Sequence, residues 1–230
     1  MKITDLKKDY DRFSLRINNL TLAPGQIHGL IGPNGCGKTT AMKLIAGIVQ
    51  ADSGTIDTEG LTSRDITMAP RKPYFLHDSV YRNLTYPLSL RKIKPDRELV
   101  DYYLEIAGLK ERRKQYAPGL SSGEQQKLSL IRTLIFSPKL ILLDEALSSL
   151  DIESATMFEQ IILDRQQKEP VTWVVIRHQL SLIQRLCSHV YFMYDGSIEA
   201  DGTTGEILFQ PENPRLQRYL QYENLNHLHL

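Results

Sequence analysis

Short apolar runs separated by helical patterns define the layout of this chain. Four runs stand out, at residues 27–31, 140–143, 171–176 and 190–194. Runs of this length that are rich in Val and Ile are typical of strands buried on both faces of a parallel sheet, although a turn of buried helix is the alternative for any one of them. Because helical patterns lie between the runs, their order predicts an α/β fold with helices on both faces of the sheet.

Three segments between the runs carry helix signals. Residues 38–48 follow a glycine-rich loop and place apolar side chains on one face, and an amphipathic pattern begins at Asp96. A third helix is capped by Ser121 or Ser122 and stops near Pro138. We therefore expect one helix directly after the loop and at least two more in the middle of the chain.

The remaining patterns predict an antiparallel part and a helical insert. Residues 15–22 alternate enough to suggest an antiparallel strand, and Asp195-Gly196 lies between two strand-like runs as a hairpin turn. The middle of the chain has aromatic residues and many charges but no convincing buried strand. We predict a single domain with a core of about 1–72 and 139–210, an inserted α-helical subdomain of about 73–138, and a C-terminal tail, 211–230, without an assignment.

Charge and cysteine content narrow the class of protein. The 230 residues include 28 basic and 27 acidic side chains, for a net charge of +1, so no global basic field is available to capture nucleic acid. The two cysteines form no disulfide framework or zinc signature, which favours a reducing, cytosolic compartment. The charged N-terminus does not resemble a signal peptide, and no apolar stretch approaches the roughly 20 residues that span a bilayer.

A phosphate-binding loop is the strongest chemical signal. The segment Gly32-Pro33-Asn34-Gly35-Cys36-Gly37-Lys38-Thr39 matches the Walker A pattern, in which glycines let backbone amides surround phosphate oxygens and the following helix N-terminus favours negative charge. Lys38 is expected to reach the β- and γ-phosphates, and the Thr39 hydroxyl to bind Mg²⁺. We expect the Cys36 side chain to be a bystander in the loop; the alternative is that the helix N-terminus lowers the pKa of its thiol and makes it reactive. The predicted ATP-binding residues here are Gly32, Pro33, Asn34, Gly35, Cys36, Gly37, Lys38, Thr39 and Thr40.

An acidic pair and a histidine follow two of the predicted strands. Asp144 and Glu145 end one apolar run, and His178 follows another. Since parallel sheets place function at the carboxyl ends of their strands, we expect Asp144 to bind Mg²⁺ and Glu145 to orient or deprotonate the attacking water. His178 would contact the γ-phosphate and hold that base. The alternative for the acidic pair is a helix N-cap followed by an exposed acid.

A further motif shortly before the acidic strand resembles a family signature. The segment Leu120-Ser121-Ser122-Gly123-Glu124-Gln125-Gln126 is similar to the Leu-Ser-Gly-Gly-Gln signature of the ATP-binding cassette (ABC) family, in its transporter ATPase subunits. By itself the segment would be a capping motif. The resemblance covers about residues 6–208, and it implies that Asp151 belongs to the D-loop and that Tyr10, or less favourably Phe13, stacks on adenine. A core aromatic is the alternative for both rings.

Three positions depart from the family pattern. Ser122 replaces a glycine and Glu124 a glutamine, and Arg71 occupies the place of a glutamine that touches Mg²⁺ and the attacking water. Arginine has donors only and cannot bind a cation, so it would contact the γ-phosphate or a carboxylate instead. We expect Arg71 to change how hydrolysis is coupled and not to abolish ATP binding.

The resemblance also implies fold, cofactors and partners. It implies a P-loop NTPase core with a mixed or parallel sheet, an antiparallel β subdomain and the helical subdomain. It implies ATP and Mg²⁺ as cofactors, and a homodimer that binds two ATPs head to tail, with Ser121, Ser122, Gly123 and Glu124 facing the ATP of the partner chain. Such a subunit powers solute transport by a separate integral membrane permease, with a solute-binding protein in import systems, and lies on the cytoplasmic face of the membrane.

Two alternatives remain at this point. One is a soluble ABC-type ATPase that acts in assembly or regulation. The other is a module that holds ATP without turnover, which Glu145 argues against and which Arg71 and Glu124 weakly favour. Import is weakly favoured over export, and the sequence does not give the cargo.

Overall fold

One mixed sheet organises the chain. The computed structural model describes residues 1–169 and 171–227, with side chains described up to 223. Within these residues the strands are β1 (Lys2–Tyr10), β2 (Phe13–Thr21), β3 (Ile27–Ile31), β4 (Ser53–Asp57), β5 (Ile66–Ala69), β6 (Leu140–Asp144), β7 (Thr172–Ile176), β8 (His189–Tyr194) and β9 (Ser197–Thr203). The helices are α1 (Lys38–Ile45), α2 (Val80–Leu90), α3 (Arg97–Ile106), α4 (Ser122–Leu134), α5 (Ile152–Lys168), α6 (Leu180–Leu186), α7 (Thr204–Phe209) and α8 (Pro214–His227).

The strand order separates a parallel part of the sheet from an antiparallel part. The order is β4-β1-β2-β9-β8-β3-β7-β6-β5, with β8, β3, β7, β6 and β5 parallel to one another. Strands β4, β1 and β2 pair antiparallel, and β2 joins β9 through the single parallel pair Arg16 and Ser197. The α/β fold with a mixed sheet and an antiparallel part is therefore confirmed.

Buried strands lie at the centre because their apolar side chains are covered on both faces. Every residue of β3, β6 and β7 is buried. One face packs under α1 through Ala41, Met42 and Ile45, and the other contains Trp173 and the inner faces of α2, α3 and α4. Strands of this kind can be recognised in a sequence as continuous apolar runs, because both faces of the strand are buried.

The middle of the chain is helical, as predicted. Helices α2, α3 and α4 occupy residues 80–134, and no named strand lies between β5 and β6 in the part of the chain that the structure describes. Asp96 caps α3, and Ser121 caps α4 in a capping box with Glu124. The division into subdomains remains a prediction, because Leu84, Leu104 and Leu128 share one apolar core with the sheet.

Two predicted helices end earlier than expected. Helix α1 ends at Ile45 and not at 48, because Gly47 takes a φ of +68° that turns the chain. Helix α4 ends at Leu134, before Pro138, and Ser137 is left-handed with φ +54°. In both cases the chain leaves the helix through a left-handed residue, which the apolar pattern does not reveal.

The unassigned tail contains a docked helix. Helix α8 begins at Pro214 and buries Leu216, Tyr219 and Leu220 in the core. The Arg215 guanidinium lies 4.8 Å from the centre of the Tyr194 ring, which ties the start of α8 to β8. The last residues of the predicted tail, 228–230, lie outside the described part.

Candidate functional site

The phosphate loop runs from the end of β3 into α1, and two of its glycines are required by their surroundings. Gly32 has φ +144°, and a Cβ there would lie 2.0 Å from the Met193 carbonyl oxygen. Gly37 has φ +110°, and a Cβ there would meet the Phe13 ring at 2.7 Å. The loop therefore packs closely against β2, through Phe13, and against β8, through Met193. Since Gly37 has no side chain to cap α1, the first amides of the helix are left for another acceptor, such as a phosphate.

Lys38 lies over the loop that precedes it. Its Nζ donates hydrogen bonds to the carbonyl oxygens of Gly32, at 2.6 Å, and Pro33, at 2.8 Å. The side chain is buried at 7% exposure, so an ammonium group is held at the centre of the loop without a carboxylate partner among the described residues. A buried cation beside a ring of backbone amides is a site for an anion.

Asp144 and Thr39 bring a carboxylate and a hydroxyl together at the end of the loop. Thr39 Oγ1 donates to Asp144 Oδ1 at 3.1 Å, and Asp144 is the last residue of β6 and is buried. Burial raises the pKa of the Asp144 carboxyl above its ordinary value, and the nearby Glu145 adds to this effect. A buried carboxylate without an ion pair among the described residues, together with a hydroxyl, fits Mg²⁺, which takes one or two protein oxygens and completes its shell with phosphates.

Glu145 and His178 meet at the ends of neighbouring strands. Glu145 follows β6 directly, and its amide donates to the Ile176 carbonyl of β7 at 3.2 Å. His178 Nε2 lies 3.1 Å from Glu145 Oε1, and a hydrogen bond there requires the proton on Nε2, because a carboxylate only accepts. Glu145 also has φ +51°, a left-handed conformation that is unusual for this residue type. The turn aims the carboxylate away from the strand, towards the histidine.

Arg71 makes an ion pair with Glu145. Its Nε lies 3.3 Å from Glu145 Oε2, so the two carboxylate oxygens face different partners. The Arg71 side chain is 66% exposed and that of Glu145 is 10% exposed, so the arginine covers the carboxylate from the solvent side. Of the two contacts expected for an arginine here, the structure shows the one with a carboxylate.

The structure favours the expectation that Cys36 is a bystander over the alternative of a reactive thiol. Burial raises the pKa of its thiol, and the opposing effect of Lys38 is smaller. Cys36 Sγ is buried and lies 3.8 Å from Lys38 Nζ. The side chain therefore lies beneath the loop, where loss of water outweighs the helix N-terminus.

The signature residues cap α4 on the surface. Ser121 Oγ lies 2.8 Å from Glu124 Oε2 and also accepts from the Glu124 amide, so the capping motif considered from the sequence is present. Arg112 Nη1 lies 3.1 Å from Glu124 Oε1, and the pKa of Glu124 is lowered, first by Ser121 and then by Arg112 and others. The sequence interpretation missed Arg112, although the basic run at 110–114 was a signal. Arg112 offsets the extra acid at this position.

The predicted signature lies beside the segment that leads to Asp151, the residue assigned to the D-loop by resemblance. A Cβ on Gly123 would lie 3.8 Å from the Ser149 carbonyl oxygen. Asp151 caps α5 by accepting from the Ser154 amide at 2.7 Å, which lowers the pKa of Asp151. In the part of the chain that the structure describes, no hydrogen bond or ion pair joins the signature residues to Lys38 or Glu145.

The two aromatic candidates occupy one hairpin. Tyr10 ends β1, is 47% exposed and pairs with Phe13 at the start of β2. Phe13 packs against Gly37 of the phosphate loop, and is partly buried against the core. The Tyr10 ring is exposed, with Lys8 Nζ 5.8 Å from its centre, and its stacking on a base remains a prediction.

Comparison with known proteins identifies the family. The chain matches the family model described as "ABC transporter" over residues 15–148. This chain belongs to the ABC transporter family. As a member of the family it is an ATPase whose hydrolysis of ATP is coupled to transport.

Named relatives of this ABC subunit are ATP-binding proteins of uptake systems. The tungstate uptake ATP-binding protein TupC of Peptoclostridium acidaminophilum is 36% identical over 208 residues, which are 87% of this chain and 97% of the relative. The spermidine/putrescine import ATP-binding protein PotA of Mannheimia succiniciproducens is 29% identical over 98% of this chain and 63% of the relative. The methionine import ATP-binding protein MetN 1 of Listeria monocytogenes serotype 4b is 30% identical over 89% of this chain and 65% of the relative.

The fold of this ABC subunit matches a solved structure. A structure titled as the ATP-binding subunit of an ABC transporter superposes with a TM-score of 0.82 and 20% identity, and the alignment covers 97% of this chain and 98% of that one. At this identity the match supports the fold alone. Across the residues described, no helix is both long and apolar enough to cross a bilayer.

Proposed function

We propose that this chain hydrolyses MgATP at the edge of the sheet where β3, β6 and β7 end. The observation that carries the proposal is the assembly of two contacts at that edge, between Thr39 and Asp144 and between Glu145 and His178. Both lie next to a loop that holds a buried lysine at its centre. An anion site, a pair of hard oxygen ligands and a carboxylate base are the parts that phosphoryl transfer to water requires.

Each residue has a role that follows from its chemistry. Lys38 and the loop amides bind the β- and γ-phosphates, and Glu145 orients the attacking water or accepts its proton. His178 fixes the Glu145 carboxylate by its hydrogen bond. Asp144 and Thr39 would hold Mg²⁺, which neutralises charge that develops on the phosphate oxygens.

The site is completed by a second copy of the chain. Ser121 and Gly123 lie at the surface-facing start of a helix, and among the described residues no hydrogen bond or ion pair links them to the phosphate loop of their own chain. A head-to-tail dimer brings them to the γ-phosphate bound by the other subunit, with Asp151 at the interface. ATP then favours the closed dimer, and hydrolysis permits it to open.

The partner is an integral membrane permease, and the direction is import. The relatives TupC, PotA and MetN are all named as uptake or import ATP-binding proteins, while their cargoes differ. We therefore propose import with a solute-binding protein, at the cytoplasmic face of the membrane, and assign no cargo. The permease docks near Arg71 and the helical segment, where Tyr74 is 82% exposed and Tyr116 49%.

The two alternatives have less support. A non-transport ABC ATPase is not favoured, because the relatives cited above carry transport names. A module that binds ATP without turnover is opposed by the Glu145 and His178 contact, which serves no purpose in simple binding.

Nucleotide binding and turnover are tested on purified protein with three variants. Lys38→Ala should lose ATP affinity, whereas Glu145→Gln should keep it and lose about 100-fold or more in kcat. Removing Mg²⁺ with a chelator should stop turnover of the unaltered chain, and Asp144→Asn should raise the Mg²⁺ concentration that turnover requires. ATP hydrolysis that survives Glu145→Gln, or ATP binding that survives Lys38→Ala unchanged, contradicts the proposed site.

The shared site is tested by mixing inactive subunits. Subunits with Ser121→Ala retain their own phosphate loop, and subunits with Lys38→Ala retain their own signature. In a head-to-tail dimer the mixed pair contains one intact site, so turnover of the mixture should exceed the sum of the separate preparations. A mixture that is no more active than that sum would place both motifs of a site in one chain.

A further inference from the structure

Arg71 and His178 hold the Glu145 carboxylate from two sides. His178 Nε2 lies 3.1 Å from Oε1, and Arg71 Nε lies 3.3 Å from Oε2. The backbone of Glu145 is also constrained, because its amide donates to Ile176 and its carbonyl oxygen accepts from Ser148. The carboxylate therefore has an internal partner that is part of the sheet edge and an external partner on a loop.

The external partner differs from the internal one in its exposure and its charge. The Arg71 side chain is 66% exposed, while His178 is 33% exposed. An arginine offers donors in every direction and has no acceptor, so it is attracted to an anion and cannot hold the cation that Asp144 and Thr39 would bind. While Arg71 stays at Oε2, that side of the carboxylate is closed to a water molecule that needs to give up a proton.

The loop that carries Arg71 is tied to the helical segment. Residues 70–79 connect β5 to α2 without regular structure. The buried Asn83 side chain of α2 accepts from the Leu76 amide at 2.8 Å and donates to the carbonyl oxygens of Leu76 and Asp78. A displacement of α2 therefore pulls this loop, whereas Glu145 stays with β6 and β7.

We propose that Arg71 is a positioning residue that restrains Glu145 in the separate subunit and frees it when the 70–79 loop moves with α2. The inference rests on the proposed function, since it assigns a regulator to the same base. The Arg71 restraint keeps basal hydrolysis slow when nothing moves the helical segment. A partner that displaces α2 would release the restraint and raise turnover, without a change in how ATP is held.

The test measures basal ATP hydrolysis of the purified subunit without permease. Arg71→Gln and Arg71→Ala both remove the charge, and both should raise kcat by about 2- to 5-fold, the range that one ion pair exposed on one side can supply. An increase in Arg71→Gln alone would overturn the inference, because it would belong to the glutamine that the family places here in contact with Mg²⁺ and the attacking water. The KM for ATP and the Kd for ATP should stay within about twofold, because the phosphate loop is untouched. Arg71→Lys keeps the charge and should give a kcat below that of Arg71→Gln.

Two controls isolate the effect. Lys72 is exposed and is the neighbouring cation, with no ion pair to Glu145, so Lys72→Gln should leave kcat at the level of the unaltered chain. The double variant Arg71→Gln with Glu145→Gln should be as inactive as Glu145→Gln alone, since the gain requires the freed base. An increase that persists in the double variant overturns the inference.

The remaining outcomes separate the inference from the function beneath it. If the unaltered chain hydrolyses ATP in a manner that depends on Glu145, and Arg71→Gln leaves kcat equal or lower, the restraint is wrong while the proposed function stands. If the unaltered chain and every Arg71 variant lack hydrolysis that depends on Glu145, the proposed function fails, and the inference with it.

Discussion

Thr39 Oγ1 lies 3.1 Å from Asp144 Oδ1, and this contact joins the start of α1 to the end of β6. The carboxylate is 4% exposed, and burial is the largest cause of its raised pKa. Its charge is therefore unfavourable until a cation arrives. Asp144, whose predicted role is ligand binding, therefore lowers the stability of the folded protein when the ligand is absent.

Replacing Asp144 by Asn should stabilise the protein in the absence of Mg²⁺ and nucleotide. Folding raises the pKa of Asp144 above its ordinary value of 3.8. At pH values between 3.8 and the raised pKa, the native state therefore binds more protons than the unfolded state. The free energy of unfolding therefore falls as pH rises through that window, and the cost persists at neutral pH. Thermal unfolding at pH 7 should show a higher Tm for Asp144→Asn, and a gap that narrows as the pH falls towards 3.8.

Asp52→Asn provides a control, because its expected change in Tm has the opposite sign. It accepts from the Asp9 amide and from Lys8, and these contacts lower its pKa, so its charge stabilises the folded state above the ordinary value. Asp52→Asn should reduce Tm at pH 7, with an effect that fades as the pH falls. Equal shifts of the same sign for the two variants would show that the electrostatic account of Asp144 is incorrect.

His178→Ala should reduce kcat for ATP hydrolysis by about 10-fold or more while leaving the KM for ATP nearly unchanged. The reason is that His178 touches Glu145 and makes no contact with the phosphate loop in the hydrogen bonds of the described residues. His77→Ala, on an exposed histidine, serves as the control. A large rise in KM with kcat retained would assign His178 to ATP binding.

Ser121→Ala should cost both stability and turnover, and Thr203→Ala should cost stability alone. Each residue caps a helix in the same kind of capping box, Ser121 with Glu124 and Thr203 with Glu206. Loss of either cap should lower the free energy of unfolding by about 0.5–2 kcal/mol. ATPase assays compared with urea unfolding separate the effects. Equal turnover in the two variants would leave Ser121 with a capping role only.

The thiols of Cys36 and Cys187 should react slowly in the native protein at neutral pH. Both are buried, and burial raises the pKa of each, so little thiolate forms. Labelling with a maleimide at pH 7, followed by mass spectrometry, should find both thiols largely unmodified, and labelling in urea should modify both. Rapid native modification of Cys36 would restore the reactivity that the helix N-terminus alone suggests.

Some elements were predictable because their own side chains reveal them. The strands β3, β6 and β7 are apolar throughout since both faces are covered. The hairpin at Asp195-Gly196 was predicted and joins β8 to β9. The strand β4 was missed because none of its residues is buried, so its polar pattern resembles a loop. Helix α8 was missed because Leu216, Tyr219 and Leu220 are surrounded by polar residues, although their spacing suits a helix face.

The residues of the candidate site also fall into a group that the sequence reveals and a group that it does not. The phosphate loop and the acidic pair are contiguous motifs, so the residues that belong together are visible in a short segment. The ion pair between Arg71 and Glu145 joins segments that are distant along the chain, and only the pairing of β5 with β6 brings them together. A sequence shows that an arginine is out of place, but the acid it meets depends on strand order.

Helix α8 has a practical consequence for how this protein is handled. The Tyr219 ring lies 5.5 Å from that of Phe192, in the strand whose next residue, Met193, contacts Gly32. Expression clones trimmed after residue 210 would uncover Phe192 and loosen the support behind the nucleotide loop. Affinity handles and fluorophores are therefore better attached beyond the helix, where they leave its buried face seated.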